Sequence, residues 1–303
     1  MIFHGGCGQA EFHEMNARLR VSQTSPLIRA FQKRRLASSV TVMNFDLMAT
    51  QTRNWFKSVL QTAAFFGAYF IFAVVGSLVS VACAVPAVLF RGVRVRFFGQ
   101  KLIHALFVFF VGYLRAFGML DLDADELSGL RDVNGLIVVA NHPGLLDAVL
   151  LVSRVPQAVC LMKGSLARNI VLSGTARLAG YIHNKSGLGL VKKCEERLKE
   201  GSNLLVFPEG TRTVGGELLP FKMGFALTAV LTRAPVQTVI ITSEDNCLGK
   251  GWPLFKKPAF PVRYSLRLGR RFQPEPGQAA KQFGCAVEDY FRETLARSGE
   301  SNP

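Results

Sequence analysis

The sequence feature that most constrains this fold is a long run without charge. From Ser58 to Phe90 the chain has 33 consecutive positions without an acidic or basic side chain. About 20 helical residues cross the hydrocarbon core of a bilayer, so the run is long enough to span it, or to enter and turn back near Pro86. Because a buried core helix of a soluble domain is seldom this long, we predict a membrane-embedded helical segment.

Two further stretches complete the N-terminal organisation. Residues 102–114 form a second apolar stretch, which is too short to span easily and favours an interfacial or re-entrant helix. Residues 1–42 mix Gly, Ser, Gln and Arg without a sustained apolar period, and they lack the features of a signal peptide. We therefore predict a disordered tail over 1–42, a membrane-anchoring helical segment over 43–115 and a folded domain over 116–303.

The whole chain is basic, with 36 Lys and Arg against 21 Asp and Glu and a formal net charge of +15. The excess is +4 in 1–42, +6 in 43–115 and +5 in 116–303, so it is not confined to one tail. This distribution indicates an anionic partner: a phospholipid surface, a nucleic acid or an anionic substrate carrier. The six cysteines include no C-x-x-C pair, which predicts neither a zinc site nor a disulfide framework.

After Asp121 the sequence changes to the pattern of an α/β domain. Short apolar runs alternate with helix-like stretches, which predicts a mainly parallel sheet flanked by helices and preceded by the membrane-embedded segment. Strands are predicted at 136–140, 158–162, 203–207 and 236–241. Helices are predicted at 190–200, 223–233 and 286–297.

A polar motif follows the first of these strands, where residues 141–147 read Asn-His-Pro-Gly-Leu-Leu-Asp. Open α/β sheets place their ligands at the carboxyl ends of strands. If a helix begins near Pro143, Asp147 lies about one turn along it and can reach a ring nitrogen of His142. Such a pair forms a general base, because the carboxylate fixes the tautomer and stabilises the imidazolium. The alternative is that His142 only begins a helix and Asp147 is a solvated acid of its first turn.

A second motif follows the predicted strand at 203–207, where residues 207–212 read Phe-Pro-Glu-Gly-Thr-Arg. Gly210 allows the backbone to approach a ligand closely, and Arg212 offers a planar fork suited to a phosphate. A tight turn with surface charges is the alternative. The two motifs together favour a shared site more strongly than either one does alone.

Together the motifs resemble the glycerolipid acyltransferase family, typified by bacterial 1-acylglycerol-3-phosphate acyltransferase. The resemblance covers roughly residues 130–245 and includes a Lys-x-Gly at 222–224 and a Pro-Val-x-x-Val at 235–239, where Thr238 replaces the family's second proline. It implies that His142 is the catalytic base and Asp147 its partner. It also implies that the acceptor is bound by Asn141, Glu209, Gly210, Thr211, Arg212 and Lys222.

The resemblance further implies a membrane-bound O-acyltransferase. A fatty acyl group would pass from acyl-CoA or acyl carrier protein to a lysophospholipid hydroxyl, with 1-acylglycerol-3-phosphate as the leading acceptor and phosphatidic acid as the product. No cofactor, metal or nucleic acid is expected; the partners are the phospholipid membrane, the acceptor and the acyl donor. The expected location is a bacterial inner membrane, with the catalytic domain on the cytoplasmic side.

One departure bears on the acceptor. Between the two motifs the family usually has a glycine followed by hydrophobic residues and an arginine that helps to bind the phosphate, but residues 180–185 here read Gly-Tyr-Ile-His-Asn-Lys. Lys185 can supply a point charge but not a bidentate fork, and His183 is a weaker replacement donor or a plain surface residue. Another lysolipid, such as a lyso-ornithine lipid, is therefore an alternative acceptor. A non-catalytic lipid-binding protein of the same fold is an alternative of another class.

A basic stretch near the C-terminus is interpreted in the same context. Residues 246–274 contain seven basic and no acidic residues, interleaved with aromatic ones. That composition is also found in nucleic-acid-binding proteins. Beside a membrane segment it favours an interfacial surface, or a landing site for an acidic acyl carrier or the phosphates of CoA. The alternative is a solvated edge strand and loop.

Overall fold

The computed structural model of this protein describes residues 26–90, 92–162, 169–183, 188–213, 217–243, 248–253 and 256–300. The chain divides into two compact units, residues 1–60 and residues 61–303. In the first unit the described residues are helical, and the Thr52 hydroxyl donates to the carbonyl of Met48 at 2.7 Å. The second unit contains the sheet and both sequence motifs.

The first helix, α1, runs from Pro26 to Leu89 and corrects two expectations. It is helical over residues 26–42, where a disordered tail was predicted, because proline is favourable in a first turn and no Gly or Pro follows until Gly67. It also continues through Pro86 instead of turning there. Residues 1–25 lie outside the described residues, so the rest of the tail and the division into three segments stay predictions.

The second helix, α2, extends from Val93 to Ala116 and is longer than the stretch 102–114 predicted from the sequence. By length and composition alone, residues 48–89 of α1 and the whole of α2 are each able to cross a membrane. One face of α2 nevertheless packs on the α/β domain. The buried Gln100 amide donates to the carbonyl of Ala179 and to the hydroxyl of Ser202, both at 3.1 Å.

The rest of the second unit is an α/β domain. Its strands are β1 (Leu120–Asp123), β2 (Ile137–Ala140), β3 (Ala158–Met162), β4 (Ile182–His183), β5 (Asn203–Val206), β6 (Val236–Ser243) and β7 (Val262–Phe272). Its helices are a short 3₁₀ helix (Asp125–Leu130), α3 (Asp147–Val152), α4 (Ser173–Leu178), α5 (Leu188–Lys199), α6 (Gly224–Thr232) and α7 (Ala280–Glu300). The predicted mainly parallel sheet is confirmed.

The described strands form one sheet in the order β1-β7-β6-β2-β5-β3-β4. Strands β6, β2, β5, β3 and β4 pair in parallel, whereas β7 is antiparallel to β6 and parallel to β1. β2 lies between β5 and β6, and it is buried along its whole length. Because β2 and β5 are parallel neighbours, the motifs that follow them meet at the same edge of the sheet.

Two apolar clusters hold the sheet between its flanking layers. One joins α1, α2 and the 3₁₀ helix to one face of the sheet, and Leu127 and Leu150 are fully buried in it. The other joins α6 and α7 to the opposite face around Phe225 and Phe291. The four strands and three helices predicted from the sequence are all present with small shifts at their ends; α7 is extended to 280–300.

Strand β7 corresponds to the alternative considered for the basic stretch, a solvated edge strand, but it lies between β1 and β6 and its sequence alternates apolar and polar residues. Val262, Tyr264 and Leu266 point into the core, while Arg263 and Arg267 lie on the exposed face. Arg267 forms ion pairs with Asp123 and Glu126 on the neighbouring edge of the sheet. Part of the basic stretch at 246–274 is therefore a strand whose charges are balanced by acids that lie far away in the sequence.

Candidate active site

The first motif places a histidine and an aspartate in direct contact at the end of β2. His142 Nδ1 lies 2.7 Å from Asp147 Oδ2, and the same oxygen accepts the backbone N–H of Gly144 at 2.8 Å. Asp147 is the first residue of α3 and is fully buried, whereas the side chain of His142 is 20% exposed. With the Nδ1 proton directed at the carboxylate, Nε2 carries the lone pair and is available as a base.

The environment of Asp147 opposes its charge. Burial raises the pKa of the Asp147 carboxyl above its ordinary value, and the charge of Glu209 acts in the same direction. The hydrogen bond and the charge of His142, together with the N–H of Gly144, lower it. The contacts with His142 and Gly144 therefore partly offset the cost of burying the Asp147 carboxylate. The ring of His142 is further fixed by stacking on Phe207, with the ring centres 4.2 Å apart.

Glu209 of the second motif holds the two motifs together. Its carboxylate accepts the backbone N–H of His142 at 2.9 Å, the N–H of Leu219 at 3.1 Å and the hydroxyl of Thr213 at 3.1 Å. The Thr213 N–H in turn donates to the carbonyl of His142 at 2.8 Å. Glu209 is 4% exposed, and these contacts occupy both of its oxygens. Its predicted contact with an acceptor remains a prediction.

The side chain of Asn141 is hydrogen-bonded to the protein backbone through both of its polar atoms. Its side-chain amide donates to the carbonyl of Ile241 and its side-chain oxygen accepts the Ile241 N–H, both at 2.8 Å. This pair continues the β2–β6 ladder by one step after the backbone of β2 turns away. Asn141 is buried, so its present contacts orient the residue that follows it, His142. Its role in substrate binding stays a prediction.

Two cations border the space in front of His142. The Nη1 of Arg212 donates to the carbonyls of Leu248 and Gly249 at 2.8 and 2.9 Å, and the N–H of Leu145 also donates to Leu248 at 3.0 Å. The hydrogen bonds of Nη1 to these two carbonyls thus orient the guanidinium group of Arg212. An ion pair of Arg212 with a carboxylate does not occur among the described residues.

The second cation is Lys222, which crosses the backbone of Gly210. Gly210 has a φ of +67°, and a Cβ at this position would lie 2.6 Å from Lys222 Nζ. The sequence therefore requires glycine here for two reasons, the left-handed backbone and the space for the lysine. The Lys222 N–H donates to the carbonyl of Pro208 at 2.9 Å, which fixes the lysine beside the second motif.

A cavity of about 1190 Å³ opens in front of these residues. Its polar part contains His142, Gly210, Thr211, Arg212 and Lys222, which brings most of the predicted site residues together. Its apolar part is lined by side chains of α1, α2, β3 and α6. The volume exceeds the range of about 300–1,000 Å³ that is usual for sites of drug-sized ligands. The aromatic residues that line it include Phe65, Tyr69, Phe72, Phe107, Phe110, Tyr181, Phe225 and Phe260.

The segment that lacks the expected arginine is only partly described. Gly180 has a φ of +74°, and a Cβ on it would lie 2.6 Å from Arg96 Cδ. Tyr181 lines the cavity and His183, the last residue of β4, is exposed. Asn184 and Lys185 lie outside the described residues. Among the described residues that line the cavity, the permanently charged cations are Arg212 and Lys222.

The cavity also contains a thiol, which is not arranged as a nucleophile. Burial raises the pKa of Cys160 to about 12, a shift that its contact with the hydroxyl of Tyr181 only partly offsets. Burial also raises the pKa of Tyr181. A thiol with this pKa remains protonated at neutral pH and is inert toward a thioester. Cys160 therefore contributes to the packing of the cavity wall.

Sequence reasoning missed the parts of the site that lie outside the two motifs. Phe207 was quoted as part of the second motif without a role, and its ring stacks on that of His142. The carbonyls of Leu248 and Gly249 come from the loop between β6 and β7, which carried no motif. Backbone acceptors leave no signal in a sequence. The hydroxyl of Tyr264 was not assigned to the site, because a strand in this region was considered only as a solvated edge strand, although the alternation of apolar residues over 262–268 indicated one buried face.

Comparison with known proteins supports one family. Residues 125–242 match the family model described as Acyltransferase. A 1-acyl-sn-glycerol-3-phosphate acyltransferase of Helicobacter pylori (strain J99 / ATCC 700824) is 33% identical over 126 residues, which are 39% of this chain and 53% of that protein. The 1-acyl-sn-glycerol-3-phosphate acyltransferase beta of Homo sapiens is 25% identical over 147 residues, 45% of this chain and 52% of that protein. The chain thus spans about half the length of these relatives.

A solved structure gives the same result for the fold. The crystal structure of the 1-acyl-sn-glycerophosphate (LPA) acyltransferase of Thermotoga maritima matches with a TM-score of 0.62 and 24% identity, covering 80% of this chain and 95% of that one. The residues that match the Acyltransferase model, 125–242, contain both motifs and strands β2 to β5 of the sheet. These matches agree with the resemblance to the glycerolipid acyltransferase family seen in the two motifs.

Proposed function

We propose that this protein is a membrane-bound O-acyltransferase that transfers a fatty acyl group to the free hydroxyl of 1-acylglycerol-3-phosphate, forming phosphatidic acid. One observation carries the proposal: a His142–Asp147 pair faces a large apolar cavity that is bordered by two cations. The base is suited to a hydroxyl, the cations to a phosphate and the apolar wall to fatty acyl chains. The names of the relatives support the same acceptor.

The proposed chemistry is direct transfer. His142 Nε2 takes the proton of the acceptor hydroxyl while the hydroxyl oxygen attacks the thioester carbonyl of acyl-CoA or acyl carrier protein. The carbon–sulfur bond of the resulting tetrahedral intermediate then breaks, and the imidazolium returns the proton to the departing thiolate. Asp147 stabilises the imidazolium between the two steps. The protonated state of Cys160 supports a route without an acyl-enzyme intermediate.

A direct assay tests this function. Membranes containing the protein are incubated with labelled acyl-CoA or acyl carrier protein and with two acceptors, lysophosphatidic acid and a zwitterionic lysolipid. We expect faster transfer to lysophosphatidic acid. Faster transfer to the other lysolipid would favour the second candidate acceptor class, which is motivated by the missing arginine at 180–185. No transfer with any pair would contradict the proposed enzyme.

A conservative change at Arg212 tests the acceptor separately. Arg212→Lys keeps the positive charge but removes the planar guanidinium group. A guanidinium can bond Leu248 and Gly249 through one nitrogen and a phosphate through the others, whereas a lysine ammonium that bonds these carbonyls offers no such bidentate contact. We expect the KM for lysophosphatidic acid to rise about tenfold, roughly the value of one charge-assisted hydrogen bond, with little change for the donor. The matched control is Arg292→Lys on α7, whose side chain pairs with Glu288. Equal KM values in wild type and Arg212→Lys would contradict phosphate binding there.

Membrane attachment is proposed from an exposed apolar stripe on α1. The exposed large hydrophobic residues of this helix recur at the three- and four-residue spacing of one helix face, while Phe65, Ala68, Ser80 and Cys83 are buried on another. An exposed stripe of this length indicates contact with lipid. We place the domain on the cytoplasmic side of a bacterial inner membrane, where both acyl donors are available. The stripe consists of Phe66, Phe70, Val74, Leu78, Val81 and Val85.

Two charges in this stripe test the attachment. A charged side chain at the centre of a membrane helix costs about 2.5–3.5 kcal/mol. We therefore expect the double variant Phe70→Asp/Leu78→Asp to move from the membrane fraction toward the soluble fraction or into aggregates. Gln282→Asp/Cys285→Asp, at exposed positions of α7, is the control that adds the same charge elsewhere. Unchanged resistance to carbonate washing in the stripe variant would contradict lipid contact at this face.

A further inference from the structure

Tyr264 brings a phenol from outside both motifs to the back of the catalytic pair. It lies on β7, opposite Leu122 of β1 and Ser243 of β6, and it is 3% exposed. Its side chain points into the core cluster beneath the first motif. Neither motif contains this residue, and the resemblance described above assigns it no role.

The hydroxyl of Tyr264 lies directly against Gly144. A Cβ built on Gly144 would be 2.2 Å from Tyr264 Oη and 3.4 Å from its ring carbon Cζ. No side chain fits in this space while the hydroxyl occupies it. The need for glycine at position 144 of the His-Pro-Gly turn is thus explained by a tyrosine that lies 120 residues further along the chain.

Asp147 presents one oxygen to the same point. Its Oδ2 is bonded to His142 and to the N–H of Gly144, whereas Oδ1 is buried and has no hydrogen-bond partner among the described residues. The Cβ position built on Gly144 lies 2.2 Å from Tyr264 Oη and 3.3 Å from Asp147 Oδ1, so both oxygens are close to the same point. These two distances from one point place the oxygens within the span of a single bridging water. A buried carboxylate oxygen without a donor is costly, so such a connection is favourable.

We propose that Tyr264 is a positioning residue, which donates its hydroxyl to Asp147 Oδ1 and thereby fixes the carboxylate that orients His142. The residue acts through Asp147 and does not contact the substrate, because it lies behind the pair and not on the described cavity wall. The inference rests on the proposed acyltransferase function for its kinetic consequence, but the contact itself is testable without activity.

A hydrogen bond from Tyr264 to Asp147 should change how kcat depends on pH. The titratable groups that face Asp147 are His142, Glu209 and Tyr264. Burial raises the pKa of Asp147, and a donated phenol hydroxyl stabilises the charged form and lowers that pKa. Removing the hydroxyl therefore raises the pKa further, and the acid limb of the kcat profile moves to higher pH. Because the folded-state pKa of Asp147 is raised by burial, the contribution of this group to folding stability is largest at low pH and falls as the pH rises through the ordinary range of a carboxyl toward the raised pKa.

The kinetic experiment compares two tyrosine variants. Tyr264→Phe should lower kcat about tenfold, leave both KM values nearly unchanged and shift the acid limb upward, because the loss concerns a hydrogen bond to a charged group. The matched control is Tyr290→Phe, which removes a hydroxyl that accepts the Arg270 N–H at 3.0 Å on the other side of the sheet. A Tyr264→Phe profile identical to wild type in kcat and in its acid limb would overturn the proposal.

A double-mutant cycle tests the contact without any assay of activity. Gly144→Ala should lower the Tm in detergent by about 3–8 °C, since the new methyl group meets Tyr264 Oη. In the Tyr264→Phe background the same change should cost clearly less, because only Cζ, at 3.4 Å, remains near the methyl group. Additive effects would overturn the contact itself. A coupled cycle in a protein that transfers no acyl group would refute the proposed function and not this contact.

Discussion

His142→Ala should reduce acyl transfer by about 10²- to 10⁴-fold, the usual contribution of a positioned general base. The histidine is held at three points: Nδ1 bonds Asp147, the ring stacks on Phe207 and the backbone N–H bonds Glu209. All three leave Nε2 for the acceptor hydroxyl. The measurement is the initial rate of transfer at saturating donor and acceptor, together with the Tm of the purified variant.

The control for this variant is another partly buried histidine. His104 lies on α2, and its Nδ1 is 2.7 Å from the carbonyl of Val152. His104→Asn keeps a donor for this carbonyl and should retain most of the activity. A loss of less than a few-fold in a folded His142→Ala variant would remove His142 from the role of base. In that case the non-catalytic, lipid-binding alternative would be favoured.

The sequence predicted where the candidate site lies in the sheet, but it did not predict the hydrogen bonds that its residues form. The strands at 136–140 and 203–207 were clear because buried parallel strands are continuous apolar runs, and each ended in polar residues. The meeting of the motifs followed from the rule for carboxyl ends of parallel strands. The neighbouring placement of β2 and β5 was not predictable, because strand order depends on long-range packing.

The roles of individual motif residues depend on partners that the sequence does not reveal. Glu209 and Arg212 were assigned to the acceptor by resemblance, yet Glu209 bonds backbone of both motifs and Arg212 bonds a loop between β6 and β7. Backbone donors and acceptors have no residue type, so pattern analysis cannot find them. The helical residues 26–42 were missed because a polar, basic composition resembles that of a disordered tail.

Glu209→Ala should destabilise the folded domain by about 2–4 kcal/mol. The change leaves the N–H groups of His142 and Leu219 and the hydroxyl of Thr213 without their acceptor in a buried place, and each orphaned donor costs roughly 1–3 kcal/mol before relaxation. Because the first of these donors belongs to His142, the proposed base, kcat should fall together with stability. Thermal unfolding in detergent and the rate of transfer measure the two effects.

The matched control is Glu217→Ala, which removes an exposed carboxylate eight residues along the same segment. Its free energy of unfolding should change by no more than about 0.5 kcal/mol, the range that is usual for surface changes, so its Tm should stay close to that of the wild type. The pair of variants also separates two roles for Glu209. If its carboxylate bound the acceptor and did not hold the motifs together, Glu209→Ala would raise the acceptor KM at unchanged Tm. A lower Tm with an unchanged acceptor KM is the result that the hydrogen bonds to both motifs require.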